Sequence, residues 1–327
     1  MPVGGRDYPR SWGQFLDWFP DEASCQHYLE RLRWPDGFFC SRCGEFNEPF
    51  RLSRNRLMCP ACRYQSSITA GTVFEKTRTP LRTWLAAAWY VTNQKHGVSA
   101  LGLQRVLGLG SYQTAWAIMH RLRRAMVRPG RELLHGIVEV DEAFLGGRRH
   151  GAGRGHASPG KNQVKVQEDR KKAVVMIGVE MHHPKGFGRV RIRQVVDKTK
   201  ESLLAFIRDE VEPGSTVRTD GSLSYITLTG HGYRHHRTVH SGSENPPHVT
   251  MPGVHRVASL LKRWLLGTHQ GSVQPHQLDY YLDEFTFRFN RRSSRSRGLL
   301  FYRLLEQAVV TKPVTYRDIA GSEKHNI

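Results

Sequence analysis

Two pairs of cysteines constrain the amino-terminal part of this chain more than any other feature. Cys40-Ser-Arg-Cys43 and Cys59-Pro-Ala-Cys62 form two C-x2-C turns separated by 15 residues, a spacing that wraps two thiolate claws around one tetrahedral ion. Four thiolates complete the shell, so the pattern predicts a structural Zn2+ with no open position for water or substrate. Phe38, Phe39, Arg42, Phe50, Arg51, Arg54, Arg56, Arg63 and Tyr64 surround the pairs, as expected for a small ribbon whose core is mostly the metal itself. Cys25, followed by the helical run HYLERLRW, reads as a buried thiol outside the metal set. A ribbon of this kind touches either nucleic acid or protein, and the spacing does not choose between them.

Charge narrows that choice. Lys and Arg number 49 against 29 Asp and Glu, a net +20 over 327 residues, alongside 39% hydrophobic residues. The apolar content is enough for packed cores in two or three domains. The positive excess exceeds what solubility asks and implies a polyanionic partner, with a partnerless cationic surface as the bland alternative. No run approaches the roughly 18–20 apolar residues of a bilayer span, and MPVGGRDYPRSW lacks the apolar core of an export signal. The expectation is a soluble intracellular protein with no membrane partner.

From Pro80 the apolar period becomes helical: Leu81, Trp84, Leu85, Ala88 and Trp89 fall at i, i+3, i+4, i+7 and i+8, with Pro80 suited to a first turn. A second helix is predicted over 99–107. After the Gly108-Leu109-Gly110 break comes a third, with Ala115, Ile118, Met119, Leu122 and Met126 on its apolar face. This order reads as helix-turn-helix, with Gln113, His120, Arg121, Arg123 and Arg124 off the apolar stripe where a recognition helix meets grooves and phosphates. A plain three-helix bundle with a solvated basic face remains the alternative.

Beyond Pro129-Gly130 the texture turns to strands, predicted over 136–144, 172–180 and 189–196, then a helix over 200–211 and a strand over 216–219 that ends at Asp220-Gly221. In a β-β-β-α-β unit the last strand can return beside the first through the helical crossover, bringing Asp141 close to Asp220. Two carboxylates in apolar strands repel unless a cation lies between them. Oxygen donors suit Mg2+ or Mn2+, and two such ions about 3.5–4 Å apart support phosphoryl transfer by activating water or a 3′-hydroxyl. The plainer alternative makes Asp220-Gly221 a turn and pairs Asp141 with an arginine. From Pro252 a long helix carries Val254, Val257, Ala258, Leu261, Trp264 and Leu265 on one face. His255 and Lys262, seven residues apart, project within about 20° of each other. Lys262 can hold a phosphate, and His255 can complete a metal shell or move a proton. A surface Lys-Arg pair and a satisfied helix-start histidine are the corresponding plain readings.

The cysteine pattern, the strand VEVDEAFLGG, RTDGSLSY with GYRHHRTVHS, and VHRVASLLKRWLLGTHQG leading into LDYYLDEFTFRFNRR together resemble bacterial insertion-sequence transposases. In these, an N-terminal zinc ribbon precedes an ISXO-like DDE domain. The resemblance runs over about 10–310, and its motifs agree in order, spacing and flanking residues. It implies an α+β or α/β multidomain chain. The expected parts are a zinc ribbon over 10–72, a helical DNA-binding region over 79–128, a ribonuclease H-like catalytic domain over 136–310 and a tail over 311–327. It implies that Asp141 and Asp220 are the first and second catalytic aspartates, binding Mg2+ or Mn2+, and that Lys262 is the lysine seven positions beyond the third site. That third site departs from the plain pattern, because His255 stands where a glutamate is usual; the family has subgroups with Asn, His or Glu there, and imidazole is a softer donor than Mg2+ prefers. Glu284 is an alternative acid whose expected role is an i, i+4 pair with Arg288, about 0.2–0.5 kcal/mol on an exposed helix. Glu142, beside Asp141, should face the other side of its strand.

The implied partner is double-stranded DNA, both element ends and target, cut and joined by at least a homodimer in a cytoplasmic, nucleoid-associated setting. The Gly- and Arg-rich segment 146–172, with Arg148 and Arg149, is expected to be a mobile loop that orders on DNA. The run 288–297, with Arg291, Arg292, Arg295 and Arg297, is expected to touch phosphates, as are Lys262 and Arg263. His235, His236 and His240 lack cysteines or an acidic pair at ligand spacing and read as DNA contacts or surface. The tail shows no periodicity and is expected to be partly disordered. The main rival is a non-catalytic DNA-binding regulator built on the ribbon and helix-turn-helix; a zinc ribbon that recruits proteins is a third reading, opposed by the net charge.

Overall fold

Short strands Phe50–Leu52 (β1), Arg56–Met58 (β2) and Gln65–Ser67 (β3) form an antiparallel sheet in the order β1-β2-β3. Each C-x2-C pair closes a turn in which the residue after the second cysteine donates to the carbonyl of the first: Gly44 to Cys40 at 2.9 Å and Arg63 to Cys59 at 3.0 Å. Both residues have positive φ, +78° and +58°. Glycine adopts that conformation freely, whereas Arg63 does so at a cost that the paired turn must offset.

The computed structural model describes residues 1–53, 56–128, 130–146, 172–182, 186–238, 247–271 and 273–321. It divides into two compact units, Met1–Pro129 with Ser293–Ile327, and Gly130–Arg292. In the first unit, α1 (Trp12–Trp18) and α2 (Glu22–Arg33) start on Ser11 and Asp21, whose side chains accept backbone N–H bonds. Helix α3 (Leu81–Asn93) begins after Pro80 with no cap of its own, and the Glu22 carboxylate accepts from Leu81 N at 2.7 Å and Arg82 N at 3.1 Å instead. Helices α4 (Ala100–Leu107) and α5 (Tyr112–Arg124) are capped by Ser99 and Ser111, with left-handed Gly108 ending α4. All three helices stand where the apolar period predicts them.

The second unit carries β4 (Ile137–Leu145), β5 (Ala173–Met181), β6 (Phe187–Val195), α6 (Lys200–Glu210), β7 (Thr216–Thr219) and β8 (Arg234–Arg237). Its sheet has the order β6-β5-β4-β7-β8; the β6–β5 and β5–β4 pairs are antiparallel, and the β4–β7 and β7–β8 pairs parallel. The expected β-β-β-α-β path is present, and β7 returns beside β4 after the α6 crossover. β8 was not anticipated, since Arg-His-His-Arg has no apolar alternation. One sheet face packs Leu134, Val138, Val140, Met176 and Val217 on Leu203, Phe206 and Ile207 of α6. The other packs Ala143, Leu145, Val175, Ile177 and Val190 on α7 (Pro252–His269) and α8 (Leu278–Asn290). Each fully buried side chain of this kind contributes roughly 1.5–3 kcal/mol.

After Arg292 the chain rejoins the first unit, where α9 (Arg297–Ala308) packs on α3. Its fully buried Phe301 sits among the rings of Phe15, Phe19, Tyr28 and Trp89, with centroids 5.4–6.2 Å away. Gly298 admits no side chain, because a Cβ would run into the Pro9 carbonyl. The catalytic region expected over 136–310 therefore extends too far, since 293–310 belongs to the other core. Within the tail, Tyr316–Ala320 is a helix (α10) held by a Thr315–Asp318 capping box with Ile319 buried, while 322–327 lies outside the described residues. Among the described residues no helix is long and apolar enough to cross a membrane.

Candidate active site and metal centres

The ribbon brings its four cysteine sulfurs together. Sγ of Cys40 lies 3.6 Å from Cys62 and that of Cys43 3.6 Å from Cys59, and all four ligand atoms fall within 4.8 Å of one another. Tetrahedral zinc with Zn–S bonds of about 2.3 Å requires sulfurs about 3.8 Å apart, so the donor set fits. Cys25 stays outside it: the buried thiol donates to Asp21 O at 3.2 Å, and burial pushes it up to about 12.

In the second unit the β4–β7 register pairs Ile137 with Thr216, Val138 with Val217 and Glu139 with Arg218. Continued two residues, the same register sets Asp141 opposite Asp220. Alternation fixes their face: Val138, Val140 and Val217 point into the α6 core, whereas Ala143 and Leu145 point toward α7 and α8. Asp141 and Asp220 share the α7 side. Each uses one oxygen locally, Asp141 Oδ1 accepting from Glu142 N at 2.9 Å and Asp220 Oδ1 from Ser222 N at 3.0 Å. Burial, and then the charges of Glu142 and Asp220, push the Asp141 carboxyl up to about 7. A divalent cation relieves that repulsion, so the donor chemistry fits Mg2+ or Mn2+.

Glu142 faces away, as alternation predicts, and accepts from the buried Tyr225 hydroxyl at 3.1 Å. Through this bond the segment after Asp220 is tied to the residue after Asp141. Across the next strand pair, Thr219 Oγ1 lies 2.9 Å from His235 Nε2. Among the described residues, the cysteines are the only set of three or more His, Cys, Asp or Glu that converges on a possible metal position. His255, Glu284, His235 and His236 belong to no such group. His240 lies outside the described residues.

Helix α7 is continuous, so half-buried His255 and exposed Lys262 keep their seven-residue spacing, with exposed Arg263 beside the lysine. The helix start shows a residue that sequence reasoning missed. Glu139 is 0% exposed, and its Oε2 accepts from Gly253 N at 2.7 Å and Val254 N at 3.1 Å. A signal was available: Met251-Pro252-Gly253 supplies no Ser, Thr, Asp or Asn cap, so the first N–H groups of α7 had to find an acceptor elsewhere.

Several other expectations change. The Glu284–Arg288 pair forms, Oε1 to Nε at 2.8 Å, but Glu284 is fully buried, so the exposed-helix magnitude does not apply. On α5, Gln113 and Arg124 are exposed as expected, whereas His120 and Arg123 are buried with Nε2 and Nη1 3.3 Å apart. Arg121 is half-buried and donates to Val314 O at 3.1 Å. The basic face is narrower than the helical wheel implies, because α10 and its approach pack against it. Arg291 stacks over Phe287 at 4.1 Å, and Arg292 over Phe289 at 4.1 Å while donating to the Gly188, Phe289 and Phe187 carbonyls. Arg292 remains exposed and Arg291 half-buried. Arg148 and Arg149 lie outside the described residues.

A family model described as a transposase zinc-ribbon domain matches residues 20–65, and one described as an ISXO2-like transposase domain matches residues 133–290. The chain is also 26% identical over 283 residues to an uncharacterised protein in the transposable element ISH50 of Halobacterium salinarum, covering 83% of this chain and 91% of that protein. That host is an archaeon, so such relatives are not confined to bacteria. The two matched segments coincide with the cysteine ribbon and with the sheet that sets Asp141 beside Asp220, and on these grounds the chain belongs to the insertion-sequence transposases that join a zinc ribbon to an ISXO2-like transposase domain.

Proposed function

We propose that this transposase binds the ends of its element and carries out divalent-metal-dependent DNA cleavage and strand transfer, with Asp141 and Asp220 as the reactive pair. The observation that supports the reading is the parallel β4–β7 register, which continued by two residues sets Asp141 opposite Asp220, where burial, then the charges of Glu142 and Asp220, raise the Asp141 carboxyl. The antiparallel three-strand run followed by a helical crossover to a parallel strand supports a ribonuclease H-like core. Asp141 and Asp220 would hold Mg2+ or Mn2+ through the oxygens that the local N–H bonds leave over. Such ions activate water or a 3′-hydroxyl and stabilise the leaving oxygen. Lys262 and Arg263 hold the phosphate backbone from the exposed face of α7, and His255 orients the reacting group or moves its proton. Gln113 and Arg124 are the DNA contacts on α5, and each phosphate neutralised by such an arginine steepens the salt dependence of binding by about 0.9 log units. Two ends must meet, so the working form is at least a homodimer.

Asp141→Ala and Asp220→Ala are expected to lower Mg2+-dependent cleavage of a labelled end by at least about a thousandfold while end binding survives. Wild-type cleavage rates from both variants would overturn the assignment. A regulator that binds without cutting is the second reading, since among the described residues no converging group of three ligand side chains includes the aspartates. It predicts end binding by the wild-type chain with no strand transfer under any divalent ion.

A further inference from the structure

We infer that Glu139 is a positioning residue of this site: its buried carboxylate clamps the start of α7 to β4 and so fixes His255 and Lys262 relative to Asp141. The inference rests on the reading of Asp141 and Asp220 as the reactive pair.

Helices α1, α2, α4, α5 and α6 each start on a Ser, Thr or Asp immediately before their first residue. Helix α3 takes its acceptor from Glu22 of a neighbouring helix, and α7 takes its own from the sheet, 114 residues earlier in the chain. A buried carboxylate is costly, and an apolar residue at a mid-strand position would be cheaper unless the charge serves a purpose. Two charge-assisted bonds at the positive end of a helix supply one, and Arg218 across the parallel pair partly offsets the charge.

The joint leaves little play. A Cβ on Gly253 would come within 2.8 Å of Glu139 Oε2 and 2.6 Å of Met181 Sδ, so a side chain there must displace one of them or the helix. Glu139 is two residues from Asp141 on the same strand face, and Gly253 is two residues from His255. The clamp thus connects them by short arms, of which the strand arm spans about 7 Å. Oε1 of Glu139 is buried with no hydrogen-bond partner among the described residues. A group retained for folding alone would be expected to satisfy both oxygens; this one gives both available bonds to the helix start.

Glu139→Gln preserves shape and removes the charge, and Gly253→Ala keeps the charge but lifts the helix from it. In the full-length chain both are expected to lower turnover on a labelled end about 10- to 100-fold. KM for that end should stay within about twofold of wild type, the pattern of a disturbed reacting geometry rather than lost binding. In metal-free protein, amide exchange at Val254, read by NMR in both variants and at Gly253 in the glutamine variant, should accelerate at least about tenfold relative to Leu261. Full turnover in both variants beside an inactive Asp141→Asn control overturns the proposal, as does wild-type exchange at the helix start. An active Asp141→Asn control instead overturns the nuclease reading, while the exchange data still decide whether the clamp exists.

Discussion

The four cysteines of the ribbon and the two aspartates of the sheet differ in how much of a coordination shell the chain itself supplies. The cysteines come from two turns with the same hydrogen-bond pattern, and their sulfurs already lie at tetrahedral separations. The aspartates come from neighbouring strands, spend one oxygen each on a local N–H, and belong to no converging group of three ligand side chains among the described residues. A set complete in itself makes the ion part of the core. A set of two hard donors that repel each other depends on what arrives from outside, and it destabilises the fold until something does.

The largest test of that contrast is zinc removal. Chelation, or Cys59→Ser, is expected to forfeit most of the roughly 10–16 kcal/mol that a structural zinc site contributes. Limited proteolysis should then cut first within 20–65 while the second unit stays resistant; a ribbon that resists without metal would break the comparison. A smaller effect is a pH trend in metal-free protein. Folding moves the Asp141 carboxyl from 3.8 to about 7, so the folded state binds the extra proton in that window. The stability due to this group is thus fullest below the window and lost as pH rises through it. Asp141→Asn should remove the trend and stabilise the metal-free protein near neutrality by on the order of 4 kcal/mol. Parallel stability curves for the two proteins between about pH 4 and 7 would count against the repulsion. The smallest effect is expected of Mn2+, which at a hundredfold excess over its Kd should stabilise the wild-type chain by about 2.7 kcal/mol and leave Asp220→Asn unmoved. An equal rise in the thermal midpoint of both proteins would place the ion elsewhere.

The helices and the first four strands of the second unit were legible because their apolar residues repeat at 3.6 or 2. The Asp141–Asp220 meeting was legible because a crossover strand has few places to return to. β8 was hidden because an Arg-His-His-Arg edge has no buried face to pattern it. Glu139 was hidden for the opposite reason: a charged residue in an alternating strand reads as solvent-facing, and only the uncapped start of α7 betrays its partner. His120 and Arg123 misled in the same way, since a helical wheel cannot register burial supplied by residues nearly two hundred positions away, as the Arg121–Val314 bond shows. The return of α9 to the first unit had no local sign at all, since Phe301 looks alike in either core.

That return bears on how the protein is made. Phe301 completes an aromatic core whose other members, Phe15, Phe19, Tyr28 and Trp89, leave the ribosome long before it. At 5–20 residues per second the intervening unit takes on the order of 10–30 s to emerge, during which the earlier rings lack their central partner. The five-stranded sheet can close as soon as its own residues are out, so the nascent chain completes its second unit before its first is finished.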